Sequence, residues 1–531
     1  MNRSPRSLVT LAAASALLLA SCSNAETSDE QTQELDVAYG WYPTCFDYAQ
    51  SNPFAFFGRQ VLDTLVSQDP ETGEIQAFLA QEWEVSADAT EYEFTLRQDV
   101  TFSNGEELNA EVVAENFETL WDLSEQGVSV TPGAYLRGFE SAEVLDDFTL
   151  RITFGEPNAG FLQANAEGQF GIIAPESLEK SPEERCSEGT VGTGPFVLEE
   201  TVQDERIVYT KREDYNWAAE TYGHTGEAHI DTLTVHIVPE ESVRASGVAS
   251  GDYDVAYSIT ESGLSQAQGN DEVEPLLAPD RSVVNTLVVN SEDDVLAARE
   301  VRQALQHGID REELVDTFYG EGVEPATDVV GNAHPFYQDR GQLLAFDPER
   351  SRELLEEAGW EEGDDGIRTR GDERLEISLT YVSESIGAEA AGWEYLQSRL
   401  AEIGIDLVLD PVSDAELADL QGSDDWQLTV YQGASRSDAD GIAAFYSTEL
   451  SVWGQQTGSA EIDALLEEQS ATVDPDERQT LVDQAVGTIL DEAYGIPLYD
   501  SSQVLLVSTE VDDLTFPLNS WEPLFYAASK N

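Results

Sequence analysis

The sequence predicts an α/β protein built from more than one lobe. Strand-like alternation gives way repeatedly to helical spacing along the chain, the pattern of a mixed sheet covered by helices. The chain has 531 residues, whereas single cores stop growing at roughly 250 to 300 residues, so two lobes with a cleft between them are expected. Its 41% hydrophobic and 9% aromatic content is that of folded protein in spite of the charge.

The elements follow in order. LDVAYG (Leu35 to Gly40) alternates like a strand and runs into the aromatic, Pro-broken WYPTCFDY. VLDTLV comes next, and in EYEFTLRQDVTF the residues Tyr92, Phe94 and Leu96 fall on one strand face before an Asn104-Gly105 turn. Asn109 is the expected N-cap of a helix whose Ala110, Val113, Phe117 and Leu120 recur at helical spacing. GTGPFVLEETVQDERIVYTKRED reads as a hairpin around a polar QDE turn. Its G-x-G is followed by a strand and by no helix, which rules out the dinucleotide-binding reading. In VRQALQHGIDREELVDTFYGEG, the residues Val301, Ala304, Leu305 and Gly308 form one apolar face. Asp310 then caps a second helix, with Glu313 at the capping-box position and Leu314, Val315 and Phe318 as its buried stripe. FDPERSRELLEEAGW repeats this grammar, with Asp347 as N-cap, Pro348 at the first helical position and Gly359 just past the end.

Charge excludes several function classes. The chain carries 26 basic and 105 acidic side chains, a formal net charge of −79, so nucleic acid, which requires clustered Lys and Arg, is not a partner. Anionic membrane surfaces are disfavoured for the same reason. Lysine occurs only at Lys180, Lys211 and Lys530, and the acids are spread along the whole chain. Such a surface suits salty surroundings, where screening shortens to about 3 Å at 1 M salt.

The N-terminus carries an address. Arg3 and Arg6 precede the apolar run Leu8 to Ala20, which fits a signal-peptide h-region and is shorter than the ~20 residues that span a bilayer. The run ends in LASC (Leu19 to Cys22), which resembles the bacterial lipobox. Residues 1–21 are thus expected to be a lipoprotein signal peptide, Cys22 the lipidated residue, and 22–34 a polar tether holding the protein outside the cytoplasm, on the outer face of the membrane. An ordinary signal peptide with an incidental Cys is the alternative. Cys45 and Cys186 then lie in a disulfide-permissive compartment and are expected to pair, two buried free thiols being the alternative.

Four blocks, in order, resemble the extracytoplasmic solute-binding proteins of ABC importers, family 5, the peptide/nickel class: LAQEWEVSADATEYEFTLRQDVTFSNGEELNAEVV, GTGPFVLEETVQDERIVYTKREDYNW, EVRQALQHGIDREELV and FDPERSRELLEEAGW. The resemblance implies a two-lobed periplasmic-binding-protein type II fold with an extra domain inserted in lobe I. Carried onto this chain, lobe I takes 35–284 with the inserted subdomain at about 60–185, lobe II takes 285–504, and 505–531 return to lobe I. It also implies capture of a peptide-like or other small polar solute by a monomer, delivery to an ABC permease and ATPase complex, no cofactor and no catalysis.

In peptide-taking relatives a strand of lobe II leads into a segment resembling G-W-x-x-D, whose Asp takes the ligand's α-ammonium. DWQLTVYQGASRSDADG lies at that place, and the Asp position becomes Ser435 while the aromatic becomes Gln432. A neutral hydroxyl does not supply the charge-assisted bond that fixes an ammonium. Candidate ligand residues on this loop are therefore Tyr431, Gln432, Gly433, Ser435, Arg436, Asp438 and Asp440, with Arg436 suited to a carboxylate or phosphate and the two acids to an amine or polyol. An Arg436 that merely pairs with Asp438 or Asp440 is the bland alternative. Trp41, Tyr42, Tyr257 and Trp453 complete the candidate cleft set as stacking surfaces, although aromatic residues more often belong to a core.

Rival readings are weaker. His224, His229 and His236 suggest a metal cage, but their segment reads in part as a strand and no Cys cluster accompanies it, so no metal site is assigned. No nucleophile elbow or H-E-x-x-H motif supports a hydrolase, although a carboxylate pair will arise by chance among so many acids. An envelope sensor or chaperone with the same fold is the remaining alternative, and an oligosaccharide or chelated nickel the alternative cargo.

Overall fold

The first strand, Glu34–Tyr39, is buried on both faces. Leu35, Val37 and Tyr39 enter one core and Ala38 another, which is why LDVAY carries so little polar surface. In this computed structural model the described residues are 33–531 apart from 51–55, 129–132, 134, 280, 321, 383–387, 421–422, 424, 432–438, 452–456 and 519–521. Among them, the main sheet runs in the order Asp406–Val412, Glu376–Val382, Leu428–Tyr431, Asn285–Val289, Gly495–Ser508, Val255–Ala256, Glu34–Tyr39, Thr232–Ile237, Arg206–Lys211, Phe196–Val202.

One strand ties this sheet together. The first part of Gly495–Ser508 pairs with Asn285–Val289 and, at Ser501, with Val323. From Ser502 onward it pairs with Val273–Pro279, and at Leu506 and Val507 with Val255–Ala256. Packing divides at the same place. One core draws on residues between Leu35 and Ala278 and again between Leu505 and Ala528, whereas a second draws on residues between Leu287 and Tyr499. A third, smaller core joins the helices Ala439–Tyr446, Ala460–Ser470 and Pro475–Glu492.

Within the first core lies a separate antiparallel sheet, Ala80–Val85, Glu91–Leu96, Thr149–Phe154, Phe139–Asp146. Tyr92, Phe94 and Leu96 face inward as the alternation requires, each at most 1% exposed. The helix Ala110–Glu125 covers this sheet, and its N-cap Asn109 accepts from the Val112 N–H. After GTGP the strand Phe196–Val202 pairs with Arg206–Lys211 as a hairpin. Gly192 and Gly194 owe their place to the Val61 backbone, which a Cβ at either position would strike. Gly194 N–H donates to the Val61 carbonyl at 3.0 Å.

In the second core, Arg299–Gly308 buries Val301, Ala304 and Leu305. Asp310 caps Arg311–Phe318 by accepting from the Glu313 N–H at 2.9 Å. The reciprocal half of that capping box is replaced, because the Glu313 carboxylate instead accepts from Tyr395 and Arg399 on the neighbouring helix. Tertiary partners outbid the local motif. Asp347 caps Pro348–Glu357, and Gly359 takes φ +85° just beyond it. Cys45 and Cys186 are joined, and Phe46 N–H donates to the Cys186 carbonyl at 2.9 Å.

Candidate solute-binding cleft

A cavity of about 160 Å³ opens in the wall of the first core. Arg59, Thr64, Ser67, Gln68 and Thr221 give it polar groups, and Tyr222 and Phe516 give it ring surface. It lies beside the crossing between the two cores: Arg281 donates to the Pro517 and Leu518 carbonyls, both at 3.3 Å. Gly73, just past Gln68, approaches Pro335, the neighbour in sequence of Phe336 in the third core.

Arg59 is the chemical centre of this wall and is only 5% exposed. Burial by itself lowers the pKa of a guanidinium, but Tyr48, Tyr222 and Glu167 act in the opposite direction and raise it, so Arg59 is charged. Burial lifts the Tyr48 phenol well above its ordinary value, with Glu522 adding to the rise and Arg59 opposing it. The Tyr222 phenol is raised by burial in the same way. Both tyrosines therefore remain hydroxyl donors and acceptors at any physiological pH. Gly168 makes room for the arrangement, since a Cβ there would collide with the Tyr48 ring and approach Arg59 Nε to 3.0 Å. Ser67 is 5% exposed and its Oγ has no hydrogen-bond partner among the described residues. One guanidinium, phenols, hydroxyls and an amide suit binding and orientation of a polar solute.

The residues singled out from sequence fall in different places. Trp41 is exposed, with its ring 4.5 Å from that of Tyr39. Tyr42 is half-buried and meets Phe46 edge-on at 5.7 Å. Tyr257 is 2% exposed and its ring packs 5.0 Å from Tyr39, so it belongs to the packed wall and not to an open stacking surface. Tyr431 ends the strand Leu428–Tyr431 opposite Thr286. Gln432, Gly433, Ser435, Arg436, Asp438 and Trp453 lie outside the described residues, as does Cys22. Asp440 is half-buried: its Oδ1 accepts from Gln469 Nε2 at 2.9 Å, and its Oδ2 lies close to Gly160.

The histidines separate. His224 and His229 stack with ring centroids 4.0 Å apart, whereas His236 bonds to Asp36 at 2.7 Å. Among the described residues, no group of three or more His, Cys, Asp or Glu side chains is arranged to hold a metal, and no helix is long and apolar enough to cross a membrane. Arg59, Ser67, Tyr222 and Glu167 escaped the sequence reading. The one available signal was a lone charge inside the apolar stretch FAFFGRQVL.

Two cores sharing a single long strand, with a polar cavity beside the crossing, define a cleft-type binding protein. The chain belongs to the bacterial extracellular solute-binding proteins, family 5, whose middle-region model matches residues 74–453. It is similar to the nickel-binding periplasmic protein of Escherichia coli K12, 24% identical over 473 residues and 87% of each chain. It is also similar to the glutathione-binding protein GsiB of Salmonella typhi, 26% identical over 460 residues and 83% of each chain. Among solved structures, NikA from Brucella suis in complex with Fe(III)-EDTA superimposes with a TM-score of 0.80 at 24% identity, over 94% of this chain and 100% of that one. The oligopeptide-binding protein AppA from Bacillus subtilis, in complex with a nonapeptide, superimposes with a TM-score of 0.71 at 18% identity, over 94% and 99%. The two-lobed binding fold is thus shared from end to end of the described chain.

Proposed function

We propose that this protein captures a peptide-like or other small polar solute between its lobes and hands it to a membrane permease driven by an ATPase. Lobe I comprises 35–284, with its inserted subdomain at about 60–185, and 505–531; lobe II comprises 285–504. Cys22 holds the monomer to the outer face of the membrane through lipid. The observation that supports the reading is the polar cavity beside Arg59 in the wall of the first core, whose Pro517 edge is bonded by Arg281 on the segment leading to the second. Binding there draws the lobes together, and the permease reads the closed form. The solute leaves unchanged, as delivery to a permease requires.

The test is native mass spectrometry of the protein purified from its source, with identification of whatever small molecule denaturation releases. A peptide or similar polar compound recovered intact supports the reading, and Arg59→Met should weaken its rebinding by about tenfold or more. Recovery of a cleaved product overturns the transport reading, and a released sugar or metal chelate replaces the cargo class.

A further inference from the structure

Away from that cavity, a polar seam joins residues 158–163 of the first half to the helices of the third core. On the first side, Tyr92 donates its hydroxyl to the Asn158 carbonyl, and Asn158 Nδ2 donates to the Tyr135 carbonyl at 2.7 Å, which pins the segment to the inserted sheet. On the other, Ala159 N–H donates to the Ser470 carbonyl at 2.7 Å and Arg478 Nη1 to Gln163 Oε1 at 2.9 Å. Arg478 Nε donates to Gln469 Oε1 at 2.8 Å, and Gln469 Nε2 to Asp440 Oδ1 at 2.9 Å.

Several of these groups are deeply buried: Gln469 is 0%, Arg478 7% and Asn158 8% exposed. Gly160 sets the closeness of approach, because a Cβ there would come within 2.6 Å of Asp440 Oδ2 and 3.4 Å of Arg478 Nη2. Buried polar groups left unmatched are costly, so parting the halves exposes the whole network to water at once or not at all. The bond between Arg478 and Gln163 spans 315 residues of sequence and belongs to neither half alone.

We propose that this seam is a clasp that biases the two lobes toward the closed arrangement, with Gly160, Asp440 and Arg478 as its positioning residues. Acting on closure, they set how long any solute is held. The inference rests on the cleft reading, since closure matters here because it encloses a solute. Asp440, a ligand candidate by sequence, thereby acquires a different task.

The Ala159 amide reports the clasp directly, because its acceptor lies on the other half. Its hydrogen exchange is measured in the purified chain and in the Gly160→Ala and Gln163→Ala variants. Exchange faster by about tenfold in Gly160→Ala, with amides of the Glu91–Leu96 and Thr149–Phe154 strands unchanged, supports the clasp. Equal Ala159 exchange in wild type and variants overturns it. If Gly160→Ala also loosens those strands, Gln163→Ala decides, because it removes one bond across the seam and adds no bulk. Solute retention is read on the same samples by native mass spectrometry. Faster Ala159 exchange in the variants without a retained molecule sinks the cleft reading alone, while a retained molecule with equal Ala159 exchange sinks the clasp alone.

Discussion

Arg185 donates through Nε to Asp47 Oδ2 at 2.6 Å, with both side chains 3% exposed, one residue away from the Cys186 that is joined to Cys45. Asp47 also accepts from Gln50 Nε2 at 2.6 Å and from Ala49 N–H at 3.2 Å, so its carboxylate is well matched in a dry place. Removing either partner strands a buried charge. Asp47→Ala and Arg185→Met should each lower unfolding stability by about 3–5 kcal/mol, read as a lower urea midpoint at unchanged slope. A loss typical of a surface pair, under about 1 kcal/mol, would contradict the burial.

The Cys45–Cys186 link closes a loop with a sequence separation of 141. Constraining so long a segment in the unfolded chain should contribute about 2–5 kcal/mol. Mass analysis under alkylation, before and after reduction, should show one bond, and Cys45→Ser together with Cys186→Ser should lower the melting temperature. Two thiols that alkylate without reduction would remove the link.

Gly192 faces the Val61 carbonyl, so the Cβ of Gly192→Ala is driven against backbone that cannot swing aside as the neighbouring Leu62 side chain can. The expected cost is about 2–3 kcal/mol in thermal or denaturant unfolding, at the upper end for overpacking. A neutral result would mean that the turn is looser than its geometry.

Burial lifts the Asp500 carboxyl to about 6, with Glu324 adding to the rise and the Asn332 N–H opposing it. Asp63 and Asp328, buried more deeply, also stand at about 6. Because the folded pKa lies above the unfolded value near 4, the folded state binds more protons between about pH 4 and 6. The contribution of these groups is therefore full below that window and is lost as pH rises through it. Asp500→Asn should flatten this part of the stability profile and raise the melting temperature at pH 7.5 by about 1–2 °C. An unchanged profile would show that Asp500 is no more protonated in the fold than out of it.

Much of the local structure was legible because it depends on neighbours in sequence. Alternation placed Tyr92, Phe94 and Leu96, and side-chain chemistry placed the caps at Asn109, Asp310 and Asp347. Where a distant partner competed, the local rule failed, as when Tyr395 and Arg399 drew Glu313 away from its capping box. The site was less legible for the same reason. Arg59, Ser67, Thr221 and Phe516 meet only after residues hundreds of positions apart have packed, and no spacing rule announces such a meeting. Asp440 meets Gln469 and Gly160 on other elements, contacts that its sequence neighbours do not announce.

The strand Gly495–Ser508 and the residues after it, Leu505 to Ala528, complete a core that begins at Leu35. A chain made from its N-terminus onward cannot close that core until almost its last residue is available. The inserted sheet has all its strands by Phe154, so it can assemble early, while the core around it stays open to rearrangement until the strand that seals it arrives.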